Sequence, residues 1–252
     1  MKSVILCAGE GKRAFGYTDG DNKCLAVLPN YERLVDYSLN TAIGLTSEII
    51  VLIGYRGSEV RDHVINYSRI HSVGTRILFA EQQTLNGICD GLLCCESLLD
   101  GEDFLLFLGD EYLTETTHKT MIDEFNRNSA FAACGFIYAK NPDEVRKNYS
   151  MEISGNIIRD MKEKPTQPVN NLMGTGNCIF RYTFFDYIRE YKRKENTNQR
   201  FSFPDVLKLA INKGETVIAH EIGKSYLNFN SREDIIEFTG NMNADRRGAH
   251  KH

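Results

Sequence analysis

Apolar residues recur along the chain with two different periods. Runs such as Val4-Ile5-Leu6, 48–53 and 104–108 are almost continuously apolar, as strands buried on both faces of a parallel sheet require. Between them the spacing lengthens: apolar residues at 34, 35, 39, 42, 43 and 45 share one face of a helix, with Gly44 near its end. The pattern predicts strands over 2–6, 48–53, 75–79, 104–108 and 130–138. It predicts helices over 34–45, 58–66, 87–99 and 121–126. Strand followed by helix in this rhythm makes an α/β fold with a mostly parallel sheet covered on both faces. Ligands of such sheets bind beyond the carboxyl ends of the strands.

The second half is more mixed. Runs at 149–153 and 157–162, separated by Ser154-Gly155-Asn156, predict a hairpin. Residues 170–177 read as a polar, glycine-rich bend before a short strand at 178–180. A helix is expected over 183–193, a solvated charged loop up to Arg200, and a last helix over 204–213, with Pro204 at its start and Gly214 after its end. No composition break or internal repeat divides the chain. Residues 1–240 are therefore expected to form one domain, and 241–252, with Arg246, Arg247, His250 and Lys251, a flexible tail.

Composition narrows the partners. The 252 residues are 42% hydrophobic and 25% charged, an ordinary globular balance. A net charge of −4 gives no reason to expect nucleic acid, which favours a basic face, and suits a small phosphorylated ligand held in a local basic pocket. The seven cysteines lack the paired Cys-x-x-Cys spacing of a zinc site and read as reduced core thiols. No run approaches the roughly 20 apolar residues that span a bilayer. The expectation is a cytoplasmic protein with no membrane partner; self-association stays open.

Candidate chemistry gathers where strands end. The first strand breaks into Cys7-Ala8-Gly9-Glu10-Gly11-Lys12-Arg13, and Lys23 follows ten residues after Arg13. Glycines let backbone amides approach an anion, and the basic residues neutralise it, as a triphosphate needs. No Gly-Lys-Ser/Thr closes the loop as in a Walker motif, and the spacing is not the dinucleotide Gly-x-Gly-x-x-Gly. A nicotinamide-dependent oxidoreductase is disfavoured on that ground. Asp110 ends the apolar run 104–108, where a carboxylate can bind a hard cation beside phosphates or simply cap the following turn. Glu163-Lys164-Pro165 follows the hairpin and places a single cationic point charge there.

In order along the chain, these pieces resemble the sugar-1-phosphate nucleotidylyltransferases. Leu6-Cys7-Ala8-Gly9-Glu10-Gly11-Lys12-Arg13 is similar to that family's Leu-Ala-Ala-Gly-x-Gly-Thr-Arg, and Asn22-Lys23-Cys24-Leu25 to its Pro-Lys-x-Leu. Gln82 and Gly87 resemble its base-contacting pair, Gly109-Asp110 its metal-binding Gly-Asp, Glu163-Lys164-Pro165 its Glu-Lys-Pro, and Gly174-Thr175-Gly176 its Thr-Gly before a strand. The resemblance implies a Rossmann-like three-layer sandwich of the nucleotide-diphospho-sugar transferase type. It also implies the reaction NTP + sugar 1-phosphate → NDP-sugar + pyrophosphate, assisted by Mg²⁺. Arg13, Lys23 and Lys164 would be catalytic, with Leu6, Ala8, Gly9, Glu10, Gly11, Lys12, Gln82 and Gly87 around the nucleotide. Glu111, Tyr149, Glu163, Thr175 and Gly176 would meet the acceptor, and Asp110 with Asn228 or Asn230 would hold the metal. A Gln amide can pair with an imide edge, which favours a pyrimidine base.

Several positions depart from the pattern. Lys12 stands for Thr or Ser, Asn22 for Pro, Glu111 for the Asn of many hexose-1-phosphate enzymes, and Tyr149-Ser150 for Tyr-Gly. The Asp expected near the end is replaced by asparagines, so Mg²⁺ is expected to enter with the nucleotide. The altered acceptor positions keep a cytidylyltransferase for a non-sugar phosphate or phosphonate open as an alternative. A catalytically silent nucleotide-binding subunit is a further one, disfavoured by the presence together of Arg13, Lys23, Asp110 and Lys164.

Overall fold

The computed structural model describes residues 1–11, 22–28, 30, 32–71, 74–194 and 201–228. The expected solvated loop up to Arg200 and the expected tail at 241–252 lie wholly or largely outside the described residues. Strands β1 (Lys2–Leu6), β2 (Glu48–Ile53), β3 (Arg76–Glu81) and β4 (Phe104–Leu108) alternate with helices α1 (Leu34–Ile43), α2 (Gly57–Ile70) and α3 (Ile88–Leu99). They form the parallel half of a nine-stranded sheet, in the order β3-β2-β1-β4.

Beyond β4 the sheet becomes mixed. Strand β9 (Leu172–Phe180) lies antiparallel between β4 and β6 (Ala132–Tyr138), and β10 (Val217–Glu221) pairs parallel to β6. The expected hairpin is β7 (Tyr149–Ser154) with β8 (Ile157–Glu163). Besides joining β8, β7 returns to pair with β9 through Tyr149↔Gly174, so this half of the sheet curls back on itself. A separate two-stranded ribbon, β5 (Glu111–Leu113) with β11 (Tyr226–Asn228), stands just past the end of β4. Helices α4 (His118–Arg127), α5 (Pro142–Lys147), α6 (Phe184–Lys194) and α7 (Phe203–Asn212) complete the layers.

Strand alternation builds two cores. Val4, Phe104 and Leu106 join the side chains of α3, α6 and α7 on one face, whereas Ile5, Leu105 and Phe107 join those of α1, α2 and α4 on the other. The first core is aromatic: Phe104 lies 5.3 Å from Phe180 and 5.5 Å from Phe185, and Phe180 stacks on Phe184 at 4.3 Å. Helix α7 begins as its composition predicts. Ser202 caps it, its backbone N–H donating to Asp205 Oδ2 at 2.9 Å, with Pro204 in the first turn and Gly214 just beyond the end.

One expected element changes class. Residues 170–177 read as a bend, but Leu172–Phe180 is a nine-residue strand, buried throughout. Its glycines serve close packing rather than turning. A Cβ on Gly174 would lie 2.1 Å from the Tyr149 ring, and one on Gly176 would lie 2.2 Å from Leu108 Cγ. Short elements at 111–113, 142–147, 217–221 and 226–228 join those expected from the pattern.

Candidate active site

The carboxyl ends of β1 and β4 are adjacent because the two strands pair in parallel, Leu6 opposite Leu108. Residues 7–11 leave β1, and Gly109-Asp110 leaves β4, at the same edge of the sheet. Gly11 takes φ +61°, and a Cβ there would fall 2.8 Å from Lys23 Cβ, so only glycine lets the loop pass over the lysine. Gly9 is exposed at the same edge. Leu6 and Ala8 lead into this turn, and the Ala8 carbonyl accepts from Tyr55 N–H at 3.0 Å. Glu10 lies half-buried between the two glycines.

Lys23 sits in a single 3-10 turn, 23–25, capped by Asn22. The Asn22 side chain is fully buried; it donates to the carbonyls of Cys7 and Tyr55, both at 2.8 Å, and accepts from Cys24 N–H at 2.9 Å. One amide thus ties the exits of β1 and β2 to the turn that carries the lysine. Lys23 is itself buried, and its Nζ donates to Asp110 Oδ2 at 2.6 Å. That contact joins two groups 87 positions apart, at the carboxyl edge where such sheets take their ligands.

Gln82 and Gly87 also come together. Gln82 lies just past β3, its backbone N–H bonded to the Ile53 carbonyl at 2.9 Å, and its side-chain amide donates to the Gly87 carbonyl at 3.1 Å. Gly87 takes φ +106° and starts α3. Gly91, which the sequence reading did not single out, lets this pair approach the helix: a Cβ there would lie 2.6 Å from Leu52 and 3.1 Å from Gln82 Oε1.

Glu111 follows Asp110 but points into a buried cluster. Its carboxylate accepts from Gly176 N–H at 3.0 Å, from Asn177 Nδ2 at 3.0 Å and from the Tyr226 hydroxyl at 2.7 Å. Burial pushes its pKa up to about 7, with the Asp110 charge adding to the rise and the Tyr226 hydrogen bond opposing it. Thr175 is buried, its hydroxyl donating to the Gly135 carbonyl at 3.1 Å. The buried Tyr149 hydroxyl donates to the Thr175 carbonyl at 3.0 Å. Behind this cluster His118 Nε2 bonds Asn177 Oδ1 at 2.9 Å, while the buried Nδ1 has no hydrogen-bond partner among the described residues. Burial lowers the His118 pKa to about 4 and keeps the ring neutral.

Glu163 ends β8, and burial raises its pKa. Lys164 follows at φ +43°, exposed, with Nζ 3.7 Å from Glu163 Oε1 and its backbone N–H on the Asn148 carbonyl at 2.6 Å. Asn228 pairs with Glu111 across β5–β11, one residue from Asp110. Lys12, Arg13 and Asn230 lie outside the described residues. Among the described residues no group of three or more His, Cys, Asp and Glu side chains could hold a metal. Also among them, no helix is long and apolar enough to cross a membrane.

A Rossmann-like α/β sheet with a glycine loop at its carboxyl edge is the frame of a nucleotide-binding class of proteins. A profile of the nucleotidyl transferase family matches residues 2–226, and the chain belongs to that family. It is 24% identical over 240 residues to the UTP–glucose-1-phosphate uridylyltransferase AglF of Haloferax volcanii, covering 94% of each protein. It is 23% identical over 239 residues to the low-salt glycan biosynthesis nucleotidyltransferase Agl11 of the same organism, covering 94% of this chain but 64% of that protein. A solved UDP-glucose pyrophosphorylase in complex with UDP-glucose shares the fold, with a TM-score of 0.80 at 19% identity over 97% of this chain and 98% of that one.

Proposed function

We propose that this chain transfers a nucleotidyl group from a nucleoside triphosphate to a small phosphorylated acceptor, in the first instance a sugar 1-phosphate. The observation that carries the reading is the Lys23–Asp110 pair at 2.6 Å, at the joint carboxyl edge of β1 and β4. An acceptor phosphate oxygen attacks the α-phosphorus in line. The new P–O bond forms as the bond to the β-phosphate oxygen breaks, and pyrophosphate leaves with the electron pair. This chemistry needs positioning and charge neutralisation more than covalent help.

Lys23 is placed to neutralise the α-phosphate once it lets go of Asp110, and Arg13 is assigned to the leaving pyrophosphate. The amides of 9–11 and the loop cation Lys12 complete the phosphate cradle. Gln82 and Gly87 take the base, with a pyrimidine favoured. Lys164 holds the acceptor phosphate and Glu163 its body. The donor set suits Mg²⁺ that arrives with phosphates: one carboxylate, Asp110, with position 228 paired across the ribbon to its neighbour Glu111, rather than an all-protein cage. Bound there, Mg²⁺ supplies charge stabilisation at the phosphate oxygens. In the free protein Lys23 already occupies Asp110, which favours joint entry of metal and nucleotide.

A second reading has its own support. Tyr149, Thr175 and the Gly176 N–H, all expected to meet a sugar, have their polar groups engaged inside the protein. Their engagement favours an acceptor with fewer hydroxyls, and so the cytidylyltransferase for a non-sugar phosphate. Pyrophosphate release with Mg²⁺ separates the two when UTP, dTTP, CTP, ATP and GTP are each paired with glucose 1-phosphate, N-acetylglucosamine 1-phosphate or phosphocholine. Release with a sugar 1-phosphate supports the first reading, and release with CTP and phosphocholine alone supports the second. A folded protein that binds nucleotide but releases no pyrophosphate with any pair, on extension of the panel to further sugar 1-phosphates and a phosphonate, shifts the weight to a silent subunit.

A further inference from the structure

Glu111 is an unusual choice for the place it occupies. Burying a carboxylate is costly unless donors surround it, and backbone pairing already joins β5 to β11 without it. A carboxylate is, however, an acceptor-only group with two oxygens, able to take several donors at once. Glu111 gathers them from two elements: Gly176 N–H and Asn177 Nδ2 from β9, and the Tyr226 hydroxyl from β11. Because Asp110 is its neighbour, restraint on Glu111 is restraint on the Asp110 backbone.

The contacts continue towards the other charged end of the site. The Tyr226 hydroxyl also lies 3.4 Å from Asn148 Oδ1. The Asn148 carbonyl accepts the Lys164 N–H at 2.6 Å. Lys164 holds φ +43°, a conformation a non-glycine residue keeps only where its surroundings impose it. A short path of contacts therefore runs Asp110–Glu111–Tyr226–Asn148–Lys164, in which the Tyr226 proton goes to Glu111 and the 3.4 Å step to Asn148 is one of packing.

We propose that Glu111 and Tyr226 form a positioning clasp that fixes the Asp110 turn and the Lys164 turn in one relation to each other. Glu111 is then a positioning residue rather than an acceptor ligand. The inference rests on the nucleotidyl-transfer reading and deepens it. The clasp sets where the acceptor phosphate meets the nucleotide; it does not itself touch either.

The test uses whichever pair from the panel above the full chain turns over fastest, with Tyr226→Phe, Glu111→Gln and the double variant. Tyr226→Phe keeps the ring and removes only the hydroxyl, so it stays informative if Glu111→Gln fails to fold. The clasp predicts that Tyr226→Phe raises the acceptor KM by about 5- to 10-fold and leaves the nucleotide KM within about twofold. The double variant is expected to be no worse than Glu111→Gln alone, since both act through one contact. An unchanged acceptor KM in a folded Tyr226→Phe, or effects that multiply in the double variant, overturns the clasp while the transfer reading stands. A loss of melting temperature and amplitude with KM unmoved marks a merely structural role and also overturns it. No turnover by the wild-type chain refutes the transfer reading and the clasp together.

Discussion

Asp110 and Glu111 are adjacent carboxylates in opposite surroundings. Asp110 keeps about a quarter of its side chain in solvent, and its oxygen meets one lysine ammonium, Lys23 Nζ. Glu111 is buried, its two oxygens shared among donors from two other elements. The break in the strand explains the split: Asp110 lies in the turn between β4 and β5, at the carboxyl edge of the sheet, whereas Glu111 is the first residue of β5. The lesson is chemical. A partly exposed carboxylate beside a single ammonium can change partners when phosphates and a cation arrive, whereas one held by backbone, amide and phenol cannot do so without opening the fold.

The sharpest way to break the comparison is to remove the exchangeable side. Lys23→Ala or Asp110→Asn is expected to lower kcat by about 10²- to 10³-fold, because the lost charge acts where charge develops in the transition state. A melting curve should show the variants still folded, and turnover within about threefold of wild type would mean the pair is not part of the chemistry.

On the fixed side the effect should appear in stability. His118 is held neutral, its pKa lowered from 6.5 to about 4 by burial. In the unfolded chain it binds a proton below its ordinary value, so the unfolded state takes up more protons between pH 6.5 and 4. Its contribution is therefore complete above pH 6.5 and is lost as pH falls towards 4, by up to about 3 kcal/mol. Urea denaturation across that window should show a shallower acid loss for His118→Gln than for the wild type.

Gly176→Ala pushes a methyl group towards Leu108 Cγ and strains the strand that donates to Glu111. A loss of about 1–3 kcal/mol is expected by denaturant titration. The smallest effect is expected at Asn22→Ala, about 1–2 kcal/mol, from the carbonyls of Cys7 and Tyr55 left without their donor. Its activity should fall by less than that of Lys23→Ala, since the lysine turn loosens while its charge remains.

The same contrast marks what could be read from the chain alone. The parallel half was legible because β4 is a continuous apolar run and β1 and β2 are nearly so after their first polar residues, a pattern set by burial on both faces. Only the last three residues of β9 read as strand; its first six read as a bend because Gly174, Thr175, Gly176 and Asn177 look like turn chemistry. They fit a strand only because the Tyr149 ring and the Leu108 side chain close over the glycines. Strands β5 and β11, three residues each, carry no period to detect. Lys23 and Asp110 stood out as charges flanking apolar runs. Asn22 entered only as a departure from Pro and Tyr226 not at all, since their value lies in bonds to residues remote in sequence.

The transfer reading is tested most directly by following the phosphorus atoms. With Mg²⁺ and the pair selected by pyrophosphate release, ³¹P NMR of the wild-type chain should show the acceptor phosphate converted to a diphosphate-linked product as an equal amount of pyrophosphate appears. Lys23→Ala should show neither within the same time. Hydrolysis of the triphosphate without that product, or equal product from Lys23→Ala, would contradict it.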